Sequence, residues 1–281
     1  MTRPLSFSVV TPSFNQAAFL EEALHSVRDQ GHENVEHWVI DGASRDGTIG
    51  LLRQHANAQQ ATELRWLSEP DDGQSSALNK GFDRVTGDII GWLNSDDRYR
   101  PGCFDCVSKV FLDHPEVDVV YGDYTWMDES GEIFRIRREI EFSYFILLHH
   151  RVPYIASTST FFRRRIFDEG NRINENLQWA MDYEFFLRLA CQGYRIMHVP
   201  KIMADFRFQR DSKTCRGPDK QLEEIDDVRQ LYSPMLRRLQ TPIPHHLMRI
   251  LLRSCAGALR YSEKFMRGYY FDQYRPATLG S

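Results

Sequence analysis

Short apolar runs alternate with amphipathic segments through the first third of the chain. Apolar residues of the first amphipathic segment, Leu20, Ala23, Leu24 and Val27, follow the i, i+3, i+4, i+7 spacing of a helix. The apolar runs have the length and composition of buried strands, and they span residues 7–11, 35–40, 64–67 and 89–93. This alternation indicates βαβ units, and therefore an α/β fold with a mostly parallel central sheet flanked by helices.

The remainder of the chain continues the alternation with more interruptions. Its polar and apolar spacing predicts helices over residues 101–114, 182–190 and 218–239. It predicts strands over residues 117–121, 124–127, 133–137, 159–162 and 196–199, the last of them ending at Pro200. Residues 128–131, Asp-Glu-Ser-Gly, favour a hairpin turn. Residues 142–155 are rich in aromatic side chains and receive no assignment.

Polar and acidic side chains follow four of the predicted parallel strands, where each strand ends. These residues are Thr11 with Ser13, Asp41, Glu69, and Asp96 with Asp97. The carboxyl ends of the strands are where α/β sheets bind ligands. Two adjacent carboxylates do not both stay ionised unless a cation or several donors compensate them. Asp96 and Asp97 taken alone could form a polar turn, but acidic ends on several strands favour a ligand crevice.

The composition is that of an ordinary globular protein of 281 residues, with 42% hydrophobic and 26% charged residues. A formal net charge of -4 argues against a general nucleic-acid-binding protein, which would carry a basic surplus. Five cysteines, an odd number, favour a reducing compartment. Cys103 and Cys106 match a C-x-x-C pair, but their apolar helical flanks favour a structural role. Since no window suits a membrane span or signal peptide, a cytoplasmic location is expected.

Six short motifs occur in one order over roughly residues 5–215. They are Val9-Val-Thr-Pro-Ser-Phe-Asn-Gln16, Ile40-Asp-Gly-Ala-Ser-Arg-Asp-Gly-Thr48, Ser68-Glu-Pro-Asp-Asp-Gly73, Ala77-Leu-Asn-Lys-Gly81, Gly91-Trp-Leu-Asn-Ser-Asp-Asp97 and Ala180-Met-Asp-Tyr-Glu-Phe-Phe-Leu-Arg-Leu189. In this set and order the sequence resembles the inverting family 2 glycosyltransferases of bacteria, which have the GT-A nucleotide-diphosphosugar transferase fold. The Q-x-x-R-W element of the processive members is absent, so the resemblance is to the non-processive type.

The resemblance implies a domain organisation and a reaction. Residues 1–215 would form the catalytic domain, with a nucleotide-binding half over about 1–100 and an acceptor half over about 101–215. Residues 216–281 would form a helical C-terminal extension. The implied reaction moves one sugar from a nucleotide-diphosphate sugar to a hydroxyl of a saccharide or lipid-linked saccharide, in cell-surface glycan or glycolipid assembly. A divalent cation, Mn²⁺ or Mg²⁺, is implied because it neutralises the charge on the departing diphosphate.

The same resemblance assigns roles to individual residues. Asp97 would bind the metal, Asp96 would contact the ribose or share the metal, and Asp41 would contact the nucleobase. The other implied donor-side residues are Thr11, Pro12, Ser13, Gln74, Asn79 and Lys80, of which Asn79 and Lys80 could equally be helix-surface residues. Asp182 would be the catalytic base, and the dipole of the helix that it begins favours its ionised form. The alternative for Asp182 is a helix N-cap.

Contacts to the diphosphate or to the acceptor are expected from a further group of side chains. They are Glu69, Asp72, Trp179, Arg207 and Arg210. Two positions depart from the family pattern. Met181 stands where an acidic residue often precedes the base, and Gln209 stands near the position of a histidine close to the diphosphate or metal. A third metal ligand from this loop is therefore not expected, and diphosphate oxygens and water would complete the metal's shell.

An apolar stripe interleaved with basic residues marks the C-terminal region. The stripe is formed by Leu247, Ile250, Leu251, Cys255, Ala258 and Leu259, and the basic residues are Arg249, Arg253, Arg260, Lys264 and Arg267. A helix of this kind can bind an anionic surface such as the inner face of the cell membrane. It can also pack on the catalytic domain or form a homodimer with a second copy. The sequence leaves these three alternatives open.

Three other functions fit the sequence less well. A sugar-phosphate nucleotidyltransferase would need a glycine-rich basic loop after the first strand, where this chain has Pro12-Ser-Phe-Asn-Gln16. A metal-dependent phosphohydrolase would need a nucleophilic aspartate at the position of Thr11. A non-catalytic sugar- or nucleotide-binding module on a degenerate transferase scaffold would be expected to lack a key carboxylate. All four of these are present, namely Asp41, Asp96, Asp97 and Asp182.

Overall fold

The computed structural model describes residues 4–57, 62–150, 152–209, 217–239 and 241–269. Its strands are β1 (Phe7–Ser13), β2 (Val35–Asp41), β3 (Glu63–Ser68), β4 (Ile89–Trp92), β5 (Arg98–Tyr99), β6 (Val119–Met127), β7 (Ile133–Arg137), β8 (Thr160–Arg163) and β9 (Ile196–Arg207). Its helices are α1 (Ala17–Arg28), α2 (Thr48–Ala56), α3 (Gln74–Phe82), α4 (Cys103–Asp113), α5 (Tyr144–His149), α6 (Arg165–Asp168), α7 (Met181–Cys191), α8 (Pro218–Tyr232), α9 (Pro234–Arg238) and α10 (Pro242–Met266). The strand–helix alternation predicted for the first third of the chain is confirmed.

The strands form one mixed sheet in the order β3-β2-β1-β4-β8-β6-β9-β5, and β7 pairs with β6 beside this path. The strands β1 to β4 are parallel, as predicted, so their carboxyl ends meet at one edge. Beyond them β8 is antiparallel to both of its neighbours, β4 and β6, and the sheet becomes mixed. The architecture is the predicted α/β fold, with the C-terminal helices α8 to α10 following the sheet.

The first strand lies in the middle of the core. Phe7, Val9 and Val10 of β1 are fully buried, as expected for a strand covered on both faces. Gly81 of α3 lies against this strand, because a Cβ added there would come within 2.3 Å of Val10 Cγ1. Glycine therefore lets α3 approach the strand that delivers Pro12 and Ser13 to the edge of the sheet.

The prediction that β9 ends at Pro200 is wrong, since the strand continues to Arg207. Proline has no N–H to donate to a neighbouring strand. The pairing with β6 shifts register here, so that Gly122 pairs with Val199 and Asp123 pairs with Ile202. This irregularity accommodates the proline, and the continued strand carries Arg207 to the turn that follows β4.

The predicted helix over residues 218–239 is two helices. Helix α8 ends at Tyr232, and α9 begins at Pro234 with Ser233 as its N-cap. The Ser233 hydroxyl accepts a hydrogen bond from Leu236 N, and proline at the first helical position needs no partner for an N–H. The unassigned residues 142–155 contain the short helix α5, which is capped by the Ser143 hydroxyl.

The C-terminal helix α10 packs on the preceding part of the chain through a face that combines apolar and basic residues. Leu252, Ala256, Arg260 and Lys264 are buried there, whereas the apolar stripe predicted from the sequence is exposed. Of the three alternatives, packing on the catalytic domain is therefore observed, although through the face opposite the stripe. None of the helices in the described residues is long and apolar enough to cross a membrane.

Glu139 holds this helix in place. It is fully buried, and its carboxylate lies 2.7 Å from Arg260 Nη2 and 3.0 Å from Lys264 Nζ. Although burial opposes ionisation, the nearby Arg260 and Lys264 cations lower the pKa of Glu139. We expect Glu139→Ala to lower the free energy of unfolding by about 3–5 kcal/mol, because it leaves two buried cations unpaired.

Chemical denaturation of the full chain measures this loss. Glu141→Ala is the control, since Glu141 is half-exposed and pairs with Arg267 at 3.2 Å, and a surface pair of this kind contributes about 0–1 kcal/mol. Equal losses in both variants would contradict the anchoring role of Glu139.

Candidate active site

A cleft of about 560 Å³ opens at the carboxyl ends of β1 and β4. Its walls come from the loops after these strands, the start of α7 and the end of β9. The lining residues include Pro12, Ser13, Phe14, Gln16, Asp71, Gln74, Trp92, Asn94, Ser95, Asp96, Gln178, Trp179, Asp182, Arg207 and Gln209. Elements far apart in sequence thus meet at the edge where the parallel strands predicted a ligand crevice.

Asn94 organises the turn that carries the paired carboxylates. Its backbone oxygen accepts from Asp97 N at 3.2 Å, and its side-chain nitrogen donates to Asp97 Oδ2 at 3.0 Å. Its side-chain oxygen accepts from Trp92 Nε1 at 3.0 Å and from Gln74 Nε2 at 2.9 Å. These bonds fix the direction in which β4 presents its acidic end. The sequence interpretation gave Asn94 no role, although it lies within a quoted motif.

Arg207 braces the same turn from the opposite side. Its backbone N–H donates to Asp97 Oδ1 at 2.9 Å, and its Nε donates to the Asp96 carbonyl oxygen at 2.8 Å. Its Nη2 bonds Glu22 at 2.7 Å, and its Nη1 donates to two carbonyl oxygens of the hairpin between β6 and β7. The guanidinium is fully buried and already engaged. Its place in the structure is therefore that of a scaffold for the acidic turn, rather than of a free diphosphate contact.

The two carboxylates occupy different environments. Asp96 lines the cleft, and its Oδ2 accepts from Gln209 Nε2 at 2.5 Å. Asp97 is only 1% exposed and lies behind the turn, with both oxygens bonded to protein donors. Burial raises the pKa of Asp96, and it raises the pKa of Asp97 further together with the charge of Asp96. A cation beside Asp96 would favour the ionised forms.

Asp182 lies on the cleft wall in the first turn of α7. The N-cap alternative is wrong, because Ala180 occupies that position. The Asp182 carboxylate accepts a hydrogen bond from Tyr183 N at 2.8 Å. Burial outweighs this bond and raises the pKa of Asp182 to about 6. The helix dipole expected from the sequence favours the ionised form of Asp182, but burial opposes it and has the larger effect on the pKa.

Several predicted contacts lie in the cleft with Asp96 and Asp182. They are Pro12, Ser13, Gln74, Trp179 and Arg207. The Ser13 hydroxyl is buried and has no hydrogen-bond partner within the described residues. Trp179 is held by Gly217, where an added Cβ would come within 2.6 Å of the indole ring. The Trp179 backbone N–H donates to Glu224 at 2.7 Å, and its side chain lines the same cleft as Asp182.

Other predicted donor-side residues are engaged elsewhere and do not line the cleft. Thr11 is buried and bonds His37 at 2.9 Å, and Asp41 accepts from the hydroxyl of Ser68 at 2.7 Å and from Ser44. The expected nucleobase contact of Asp41 would have to compete with these serines. Asn79 bonds the backbone of Ile173.

The remaining predicted contacts on this side are also displaced from the cleft. Lys80 and Glu69 form an ion pair with each other at 2.7 Å. Asp72 does not line the cleft, whereas its neighbour Asp71 does. The Asp71 carboxylate accepts from Gly73 N at 2.9 Å and lies against Gly42. The Asp-Asp-Gly run pointed to this loop, but spacing could not decide which aspartate faces inward. Arg210 lies outside the described residues.

The sequence profile of glycosyl transferase family 2 matches residues 8–170 of this chain. An uncharacterized glycosyltransferase of Mycobacterium tuberculosis, Rv1514c, is 31% identical over 205 residues, which cover 71% of this chain and 75% of that protein. The putative teichuronic acid biosynthesis glycosyltransferase TuaG of Bacillus subtilis is 36% identical over 93 residues, which cover 33% of this chain and only 36% of TuaG.

Solved structures share the fold at low sequence identity. S. aureus TarS in complex with UDP-GlcNAc has a TM-score of 0.64 at 17% identity, over 89% of this chain and 70% of the TarS chain. The mannosyltransferase PcManGT of Pyrobaculum calidifontis, in complex with GDP-Man and Mn²⁺, has a TM-score of 0.57 at 18% identity, over 94% of this chain and 84% of that chain. With its matching profile and the GT-A fold, this chain belongs to glycosyl transferase family 2, and it is a glycosyltransferase.

Proposed function

We propose that this enzyme is a metal-dependent inverting glycosyltransferase that moves one sugar from a nucleotide-diphosphate sugar to an acceptor hydroxyl. The observation that carries the proposal is that Asp96, after β4, and Asp182, at the start of α7, line one cleft. A donor-side carboxylate and a candidate base thus face the same space from two independent elements. Products in cell-surface glycan or glycolipid assembly are supported by relatives named for teichuronic acid and O-antigen biosynthesis.

The residues around Asp96 fit a divalent cation. The carboxylate faces the cleft, and the side-chain amide of Gln209 lies beside it. A carboxylate oxygen is a ligand that suits Mn²⁺ and Mg²⁺, whereas Gln209 turns its side-chain nitrogen toward Asp96 and acts there as a hydrogen-bond donor. No cluster of three His, Cys, Asp or Glu ligands occurs here among the described residues, so donor diphosphate and water would complete the shell. When bound, the cation would neutralise the charge that develops on the departing diphosphate.

The donor class is supported by the chemistry of the wall near β1. The Ser13 hydroxyl, which has no hydrogen-bond partner among the described residues, borders the space beside Asp96 together with the Gln74 amide and the Pro12 ring. The structural neighbours TarS and PcManGT bind UDP-GlcNAc and GDP-Man, both nucleotide-diphosphate sugars. We infer that the donor here is also a nucleotide-diphosphate sugar. Because the two neighbours differ in both nucleobase and sugar, the inference extends to the chemical class and not to one donor.

Asp182 would act as the general base. As the acceptor oxygen attacks the anomeric carbon, its proton passes to the Asp182 carboxylate. The bond from the anomeric carbon to the diphosphate oxygen breaks on the opposite face, and the nucleoside diphosphate leaves with that electron pair. Attack from the opposite face inverts the anomeric centre. Trp179 offers an aromatic face beside the base on which an acceptor sugar can pack.

The pH profile follows from the environment of Asp182. The base works only when ionised, and burial raises its pKa to about 6. We therefore expect kcat/KM to be nearly constant above about pH 7 and to fall about tenfold per unit below about pH 6. An exposed aspartate would place this fall near pH 4. A profile that stays level down to about pH 5 would contradict the assignment of Asp182.

A nucleotide-sugar panel tests the function itself. Each UDP-, GDP- and dTDP-sugar is incubated with the full chain and Mn²⁺ or Mg²⁺, and binding and slow donor hydrolysis are measured. Metal-dependent binding of one donor, with release of its nucleoside diphosphate, is the expected result. Binding without hydrolysis or transfer would favour the non-catalytic sugar- or nucleotide-binding module, and no response to any donor would contradict the proposal.

A further inference from the structure

The outward face of α10 carries no formal charge. The most exposed residues of this helix are apolar, Ser or His, and Arg253, whose side chain is 41% exposed, lies at the edge of this face beside Asp226. Large apolar side chains dominate the face, and they are between 50% and 77% exposed. They include Ile243, Leu247, Ile250, Leu251, Leu259 and Tyr261. A helix of 25 residues is about 37 Å long, so this uncharged strip is long as well as continuous.

The basic residues of α10 are engaged on its other side. Arg260 and Lys264 are buried against Glu139, and Arg249 bonds Asp226 of α8. Arg267 pairs with Glu141 at 3.2 Å and with Glu263 of its own helix at 3.0 Å. Arg253 also lies 3.7 Å from Asp226, although its side chain is 41% exposed. The positive charges that could hold this helix on anionic lipid therefore face carboxylates of the chain. An interfacial membrane helix instead presents its Lys and Arg side chains to the headgroups.

A second copy of the same face is the surface that this strip complements. In a twofold interface the same patch of both subunits meets. A charged patch would therefore repel its copy, whereas an uncharged apolar patch can pack against its copy without repulsion. The small exposed residues Ser254, Cys255 and Ala258 lie near the middle of the helix, where a twofold axis would pass. The larger apolar residues lie toward both ends of the helix from these small residues. In an antiparallel pair, the N-terminal half of one helix would therefore cover the C-terminal half of the other.

We propose that the exposed face of α10 forms a homodimer, in which two copies of this helix pack antiparallel about a twofold axis near Ser254. The proposal is independent of the proposed reaction, because none of these residues lines the cleft. The surface area buried by a single pair of helices is at the small end of the range for specific interfaces. The dimer should accordingly dissociate on dilution rather than persist at every concentration.

Sedimentation velocity of the full chain without detergent or lipid, over a dilution series, measures the association. We expect a reversible dimer, and we expect Leu251→Glu to raise its dissociation constant at least about tenfold, because the new charge lies in the centre of the interface. Leu112→Glu is the matched control, since Leu112 of α4 is 48% exposed, close to the 56% of Leu251. It should leave the dissociation constant unchanged, and equal weakening by both variants would overturn the proposal.

Oxidative cross-linking gives a second measurement that does not depend on a destabilising substitution. Cys255 is an exposed free thiol near the expected axis, so mild oxidation should trap a covalent dimer in the native chain and not in Cys255→Ser. Cys191 is also an exposed free thiol, but Cys191→Ser should still cross-link. A chain that stays monomeric and forms no Cys255 cross-link overturns the proposal. If that monomer floats with vesicles of phosphatidylglycerol and phosphatidylethanolamine, lipid covers this face instead.

Discussion

Asp182→Asn is expected to stop sugar transfer while nucleotide binding is retained. Asparagine keeps the size of the side chain and can still accept the hydrogen bond from Tyr183 N, but it does not take up the acceptor's proton. Removal of a general base costs about 10²–10⁴-fold in rate, and the loss should fall on kcat. Calorimetric titration with UDP and GDP, each with Mn²⁺, should give unchanged dissociation constants for whichever nucleotide binds.

Glu184→Gln separates this effect from damage to α7. Glu184 lies two residues further on, and its carboxylate bonds Arg188 at 2.9 Å and the Tyr232 hydroxyl at 2.6 Å instead of lining the cleft. The control variant should melt at a lower temperature and retain most of its turnover. Near-normal turnover in Asp182→Asn would exclude the base role. Equal loss in both variants would indicate that α7 needs its acidic residues for folding.

Asp96→Asn is expected to abolish the stimulation of nucleotide binding by Mn²⁺. Asp96 is the member of the acidic pair that lines the cleft, and an amide is a weaker ligand for a hard cation than a carboxylate. Replacing a residue that only hydrogen-bonds a metal ligand already lowers metal affinity about 10–100-fold. Replacing Asp96, as a direct ligand, should lower the affinity for Mn²⁺ at least as much. Electron paramagnetic resonance of free Mn²⁺ measures this affinity without any need for an active enzyme.

Asp97→Asn should have a different signature. Both Asp97 oxygens accept hydrogen bonds, one from Arg207 N and one from the Asn94 side chain. An amide in their place turns one acceptor into a donor, which faces another donor in a buried site and costs about 1–3 kcal/mol. We expect a lower melting temperature from this variant, and no such loss from Asp96→Asn. If Asp97→Asn kept its melting temperature and lost only its affinity for Mn²⁺, Asp97 would be the metal ligand.

Local sequence features were informative where a residue's partners lie within its own element or motif. The apolar positions of α1, for example, are buried as their spacing predicted. Local sequence features could not predict the partners of side chains whose contacts lie far away along the chain. Lys80 was expected on the donor, and it pairs with Glu69. Arg207 was expected at the diphosphate, and its guanidinium is consumed by Glu22 and backbone oxygens that lie far away along the chain.

The sequence by itself determined the α/β alternation, the acidic ends of the parallel strands and the motifs that indicate a family 2 glycosyltransferase. It could do so because strand and helix periodicities, and the residues that end each strand, are local properties. Only the tertiary structure decided that Asp96 rather than Asp97 lines the cleft, and that burial raises the pKa of Asp182. It also decided that α10 turns Arg260 and Lys264 inward, where both cations pair with the buried carboxylate of Glu139. These contacts and this pKa depend on which groups, distant along the chain, come together in the low-dielectric interior. The spacing of residues along the chain does not predict which groups meet there.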